Sequence, residues 1–378
     1  MFHRKIFNEE QDYFRETASK FVDKEILPYH KKWEKDGFVP KELWLKAGSV
    51  GLLCPNVPKD YGGINGDFRF NVIIIEELAR IGATGPGFAV HSDIVTPYLV
   101  NYCTKDQKKK YLPKMVKGEI ITAIAMTEPG TGSDLQNIKT HAVINNDHLI
   151  LNGSKTFITN GKNADLVLVV AKTDKSKKAK GISIVLCEAG TEGFNKGKNL
   201  DKIGMKAQDT SELFFQDVKL PLNNILGNSG QGFAQLMDEL PQERLSIAVT
   251  AISSAEAALN WTISYTKERE AFNTKIIDFQ NTKFTLAKLK SELLVARTFI
   301  DRCIDEHINN NFSAEDGAIA KLWCTELQFK VMDECLQLFG GYGYMQEYPI
   351  AKAFMDARVQ RIYGGTNEIM KEIIGRNL

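Results

Sequence analysis

The hydrophobic period of this chain changes twice, and that double switch limits its fold more than any other feature. From residue 1 to about 120, apolar residues recur at helical spacing, with candidate helices over Lys41–Ser49, Phe70–Ile81 and Asp106–Lys117. Phe14, Ala18, Phe21 and Val22 give the first of them its buried stripe, and Asn8 with Gln11 three residues on forms a capping box at its start. Near Ile120 the pattern turns into short β-branched runs broken by turn residues: Ala142–Ile144, Leu149–Leu151, Leu166–Val170, Ile182–Leu186 and Leu213–Val218. After Gly227 the helical period returns, over Gly232 to about Lys267, Thr282–Ile308, Ala314–Phe339 and a last helix following Thr366. The expected layout is a mixed α+β chain of three domains: a helical one over 1–120, an all-β one over 121–226 and a helical one over 227–378.

Composition narrows the function classes. Of 378 residues 43% are hydrophobic and 25% charged, as in ordinary globular proteins. A net charge of +1 supplies no broad attraction to nucleic acid or an anionic membrane. The lysine-rich runs Lys105–Lys110 and Lys172–Lys180 read as solvated loops. No apolar run approaches the ~20 residues of a membrane span. Glu9, Glu10 and Asp12 argue against a transit peptide, and no signal peptide is visible. The six cysteines form no CxxC pair and the six histidines no HxH or HExxH, so neither a metal site nor a disulfide framework is expected; free thiols suit a reducing compartment.

One acidic residue breaks the apolar pattern. Phe233, Leu236, Met237, Leu240, Ile247, Ala248 and Ala251 make a single stripe, and Glu243 falls inside it. Arg244 points about 100° away around the helix, so it is not an automatic ion-pair partner. The residues alone leave two readings: a structural Glu that reaches a buried Arg or snorkels out, or a desolvated carboxyl whose pKa rises toward that of a working base.

No GxGxxG follows a strand and no GxxxxGK[ST] occurs, so neither a Rossmann site nor a P-loop is supported. Four other segments could hold a ligand. Thr127–Glu128–Pro129–Gly130–Thr131–Gly132–Ser133–Asp134 leaves a strand with glycines and hydroxyls in one turn. Phe157–Ile158–Thr159–Asn160–Gly161 puts an aromatic and a hydroxyl at a strand end. Gln337–Leu338–Phe339–Gly340–Gly341–Tyr342–Gly343–Tyr344 stops a helix at paired glycines. Tyr363–Gly364–Gly365–Thr366–Asn367–Glu368 leads into a helix N-terminus, whose unpaired N–H groups suit an oxyanion.

With K-E-R-E-A-F (Lys267–Phe272), E-Y-P (Glu347–Pro349) and D-A-R (Asp356–Arg358), these segments resemble the acyl-CoA dehydrogenase family in order and spacing across essentially the whole chain. The resemblance implies an N-terminal helical domain, a β-barrel-like middle domain and a C-terminal four-helix bundle. It also implies non-covalent FAD and oxidation of an acyl-CoA to the trans-2-enoyl-CoA. By similarity, Met126, Thr127, Ser133, Phe157, Ile158 and Thr159 line the flavin ring, with Ser133 also near the thioester arm. Arg269, Phe272, Gln280, Gln337, Gly340 and Gly341 serve the pyrophosphate and adenine half across a subunit interface, in a homotetramer built as a dimer of dimers. Thr366, Asn367 and Glu368 complete the cofactor site, and Pro241, Gln242, Arg244, Gly364 and Gly365 join Ser133 on the substrate. The implied electron acceptor is electron-transferring flavoprotein, and the implied compartment is a bacterial-type cytoplasm or, for a mature form, the mitochondrial matrix.

The chain departs from the common family pattern at one informative position. Many members carry the catalytic Glu just after the Tyr of I-Y-x-G-T, where this chain has Gly364. The long-chain and isovaleryl types place it in an E-R-L context, which Glu243–Arg244–Leu245 matches, and the preceding Pro-Gln and the Gly-Gly pair are most similar to the long-chain type. The resemblance therefore gives Glu243 the α-proton, flavin N5 the β-hydride, and the thioester oxyanion to the ribityl 2′-hydroxyl and the Gly364 N–H. A glycine there also leads to an expectation of open space for a 2-methyl branch, and to the expectation that Glu at 364 can stand in for Glu243. Alternatives of the same fold are an isovaleryl or short-branched-chain type, a flavin monooxygenase and an acyl-CoA oxidase; another class again is a helical scaffold without FAD.

Overall fold

The computed structural model describes residues 4–376 and 378. Six helices open the chain: α1 (Glu9–Phe21), α2 (His30–Asp36), α3 (Lys41–Ser49), α4 (Phe68–Arg80), α5 (Thr96–Tyr102) and α6 (Lys105–Val116). The Asn8–Gln11 capping box is formed. α4 starts earlier than its apolar period suggests, because the Asp67 side chain accepts the Arg69 N–H and caps it. α5 follows a wide π-helical turn at Val90–Val95. Lys105–Lys110 is not a loop but the first turns of α6, where Thr104 and Gln107 make a second capping box; its lysines are solvated as expected, on a helix.

A seven-stranded mixed sheet follows, with strands β1 (Thr122–Ala125), β2 (His141–Asn145), β3 (His148–Thr159), β4 (Leu166–Lys172), β5 (Ile182–Glu188), β6 (Phe194–Asn199) and β7 (Thr210–Pro221). β1 runs parallel to β4, while β4–β5, β2–β3, β3–β7 and β6–β7 are antiparallel. β4 is apolar on both faces for a reason. Leu166, Leu168 and Val170 pack on the N-terminal helices, while Val167, Val169 and Ala171 fill the interior of the sheet.

The last block contains α7 (Gly232–Glu268), a small hairpin of β8 (Glu270–Ala271) and β9 (Thr274–Lys275), α8 (Gln280–Ile308), α9 (Ala314–Leu338), α10 (Pro349–Ala357) and α11 (Asn367–Gly375). α7 to α10 share one core, which also takes Phe68, Val72 and Ile75 of α4. α7 runs unbroken through Pro241. At that point Gly317 of α9 lets the two helices close up, since a Cβ there would stand 3.2 Å from Pro241 Cα. None of the described helices is long and apolar enough to cross a membrane.

Candidate active site

The stripe on α7 is buried at Leu236, Leu240, Ile247, Ala248 and Ala251, whereas Met237 turns out toward solvent. Glu243 is buried within it, 5% exposed. Its Oε1 accepts a 2.9 Å hydrogen bond from the Tyr98 hydroxyl of α5. Burial pushes its carboxyl up to about 7, against the Tyr98 hydrogen bond and the Arg244 charge, with Glu239 adding to the rise. Arg244, also buried, leans the other way and donates to the Gly364 carbonyl at 3.4 Å. The two adjacent side chains thus serve different neighbours, as their helical positions require. Tyr98 lay outside every motif; only its place on a helix packed against α7 reveals it.

Two predicted substrate residues prove to be wedged into the scaffold. Gln242 donates to the Asp93 carbonyl at 2.6 Å and pairs its Oε1 with His307 Nε2 at 2.8 Å, so both ends of its amide are taken. Pro241 faces Gly317. Gly364 and Gly365 do form the turn before α11, with φ of +65° and +91°. Lys321, fully buried on α9, grips this turn through the Gly365 carbonyl (2.9 Å) and Asn367 Oδ1 (2.7 Å). Among the described residues the Gly364 N–H finds no hydrogen-bond acceptor. Beside Gly364 a Cβ would lie 2.4 Å from Cδ1 of Ile247, one turn beyond Glu243, so the space there is bounded by the movable tip of that side chain.

The flavin-side residues gather at the ends of β1 and β3. Lys155, with no exposed surface, donates to the Met126 carbonyl (2.8 Å) and to Glu128 Oε1 (2.9 Å). Glu128 also accepts the Lys139 and Thr140 amides at 2.6 and 2.9 Å. Burial would raise the Glu128 carboxyl, but the Lys155 ammonium and these hydrogen bonds hold it below its ordinary value. A buried ion pair therefore anchors the 127–134 loop, while Gly130, Gly132 and Ser133 stand outward. Thr127 accepts the Thr156 N–H at 2.9 Å, and Phe157 projects its ring, 68% exposed, from a left-handed backbone (φ +59°). Thr159 is half-buried. Ile158 points into the sheet core, which leaves only its backbone to a ligand. Asn160 is structural: it donates to the Gly87 and Thr122 carbonyls and ties the helices to the sheet.

The second predicted half-site lies at one end of the C-terminal helices. Arg269, Phe272, Gln280, Gln337, Gly340 and Gly341 are all exposed. The Arg269 guanidinium sits 5.7 Å over the Tyr342 ring, and Phe272, 92% exposed, again has a left-handed backbone (φ +53°). Phe157 and Phe272 are the two aromatic residues with positive φ among the described residues. Such strain in a bulky residue persists where surroundings impose it, often at ligand sites. No hydrogen bond or ring contact among the described residues joins this half to the Phe157 half. Thr366 caps α11, Glu368 lies exposed in its first turn, and Asn367 turns inward to Lys321, Thr325 and Glu326.

An α–β–α scaffold with a desolvated carboxyl near a glycine turn, and an aromatic strand end open to solvent, defines the class. Family models for the N-terminal, middle and C-terminal domains of acyl-CoA dehydrogenase match residues 8–119, 123–218 and 230–378. The chain belongs to the acyl-CoA dehydrogenase family and is, with it, an FAD-dependent oxidoreductase. It is 52% identical over 377 residues to the mitochondrial long-chain specific acyl-CoA dehydrogenase of Mus musculus, covering 99% of this chain and 88% of that protein. Isovaleryl-CoA dehydrogenase of Pongo abelii is 36% identical over 374 residues, covering 98% and 88%. Among solved structures, an acyl-CoA dehydrogenase from Geobacillus kaustophilus superposes with a TM-score of 0.97 at 48% identity, covering 99% of each chain.

Proposed function

We propose that this chain oxidises a fatty acyl-CoA of medium, long or branched chain to the trans-2-enoyl-CoA, with Glu243 as the base. The observation that carries this reading is a buried carboxyl, pushed up to about 7, one helical turn from the Ile247 that abuts Gly364. A base poised near neutral pH both holds enough carboxylate and pulls hard enough on a weakly acidic C–H. The free N–H of Gly364 suits the thioester oxygen as charge gathers there, and one such donor is worth roughly 2.7–4 kcal/mol. Lys321 and Arg244 hold the turn that carries it.

The flavin side fits the cofactor. Open backbone at Gly130 and Gly132, an outward aromatic at Phe157 and the half-buried Thr159 offer a flat, hydrogen-bonding face. When bound, FAD supplies the acceptor for the β-hydride. Arg269, with Gln337 and the open Gly340–Gly341 backbone, suits a pyrophosphate, since a guanidinium offers a fixed fork of donors. We assign the two halves to a site shared between two copies, as in a homotetramer. Electron-transferring flavoprotein is the acceptor this reading assigns.

The test is anaerobic addition of a saturated acyl-CoA length series to the purified yellow protein. The reading expects bleaching and a product lighter by two hydrogens. No bleaching at any length, or oxygen consumed in step with product in air, would replace it with a scaffold or an oxidase.

A further inference from the structure

We infer that Tyr98 is a positioning residue for the base: its hydroxyl holds Oε1 of Glu243 and leaves Oε2 as the oxygen that takes the proton. The inference rests on the reading of Glu243 given above. Tyr98 is completely buried, and the hydroxyl spends its proton on this one carboxylate oxygen. Among the described residues Oε2 accepts no hydrogen bond. The contact belongs to a set. Asn101 donates to Glu239 Oε1 at 2.8 Å, and the Tyr102 hydroxyl donates to Asp238 at 3.3 Å. One face of α5 thereby meets successive turns of α7, and of these three contacts only that of Tyr98 reaches Glu243.

The bond also acts on proton affinity. A hydrogen bond donated to a carboxylate favours the charged form, while burial opposes it. The other ionisable groups around Glu243 are Glu239 and Arg244 on its own helix and Tyr102 on α5. Asp93, on the turn before α5, lies against Ser246, and Lys321 of α9 lies toward Arg244. None of these replaces Tyr98 as a donor to Oε1. Without that donor the carboxyl gains affinity for its proton and is free to rotate, so a smaller fraction of encounters has Oε2 aimed at the α-carbon.

The experiment is the pH dependence of the anaerobic half-reaction, with the carboxyl band of Glu243 followed by infrared titration and assigned by subtraction of Glu243→Gln. Tyr98→Phe should keep the yellow cofactor, slow reduction about tenfold at the optimum, and move both the acid limb and the infrared titration up by about one pH unit. Its KM should change little. Tyr102→Phe, which breaks the neighbouring contact, should leave both titrations in place. Because Tyr98→Phe could fail to fold, 3-fluorotyrosine at position 98 offers a near-isosteric check: a stronger donor should move the limb down. Limbs that coincide with wild type in the variants at 98 would overturn the positioning role. If Glu243→Gln itself bleaches normally, the reading of the base fails instead.

Discussion

The surroundings of Glu243 and those of Phe157 and Phe272 are built on opposite principles. The carboxyl is enclosed, with its partner and its neighbouring turn supplied by the same chain. The two rings are exposed and held in left-handed backbone. A group that must have a shifted pKa needs low dielectric around it at all times, so one chain completes it on folding. A group that must admit a large flat cofactor has to stay open until the ligand arrives. Burial distinguishes the first of these surroundings, and left-handed backbone at an exposed ring the second.

The largest effect expected from probing this contrast is at the seam between the two. Lys155→Met would leave Glu128 buried without its cation beneath the open 127–134 loop, and should cost about 3–5 kcal/mol in chemical denaturation. Unchanged stability would mean that the open side has no closed foundation. Next, Arg269→Ala should weaken FAD binding about 10- to 100-fold in equilibrium dialysis, the loss expected for a hydrogen bond to a charged group. Mixed assemblies of Arg269→Ala copies with copies damaged at Phe157 should regain intact sites, which a cofactor site contained in one chain could not do. The smallest effect concerns the enclosed side. Gly364→Glu carries a left-handed backbone penalty of about 1–3 kcal/mol and meets Ile247. In the Glu243→Gln background it should restore slight activity, rising when Ile247→Ala makes room; equal activity with and without that change would show that the Ile247 tip is no obstacle.

Much of this was legible from residues. The two changes of period located the helices and most strands, because β4 and α7 are uniform over many residues. β1 and α5 were not: Thr122–Ala125 is too short to show an alternation, and the seven residues of α5 give less than two full turns of a helical period. Glu243 stood out because a charge interrupted a stripe. Tyr98 did not, because a buried tyrosine in an apolar helix looks like any core residue until its hydroxyl is seen to reach Glu243. Ile158, Gln242 and Asn367 show the converse: membership of a segment does not say which way a side chain turns. Ile247 shows that a glycine's missing side chain need not leave a hole.

Glu243 is the proposed acceptor of the α-proton, and rapid-mixing reduction by an acyl-CoA across pH tests this most directly. The protonated carboxyl cannot act as base, so with its pKa pushed up to about 7 the wild-type rate should climb as pH rises through that value and then level off. Glu243→Gln should bind FAD and substrate yet show no such reduction. Bleaching by Glu243→Gln at the wild-type rate, with the same pH profile, would contradict the account.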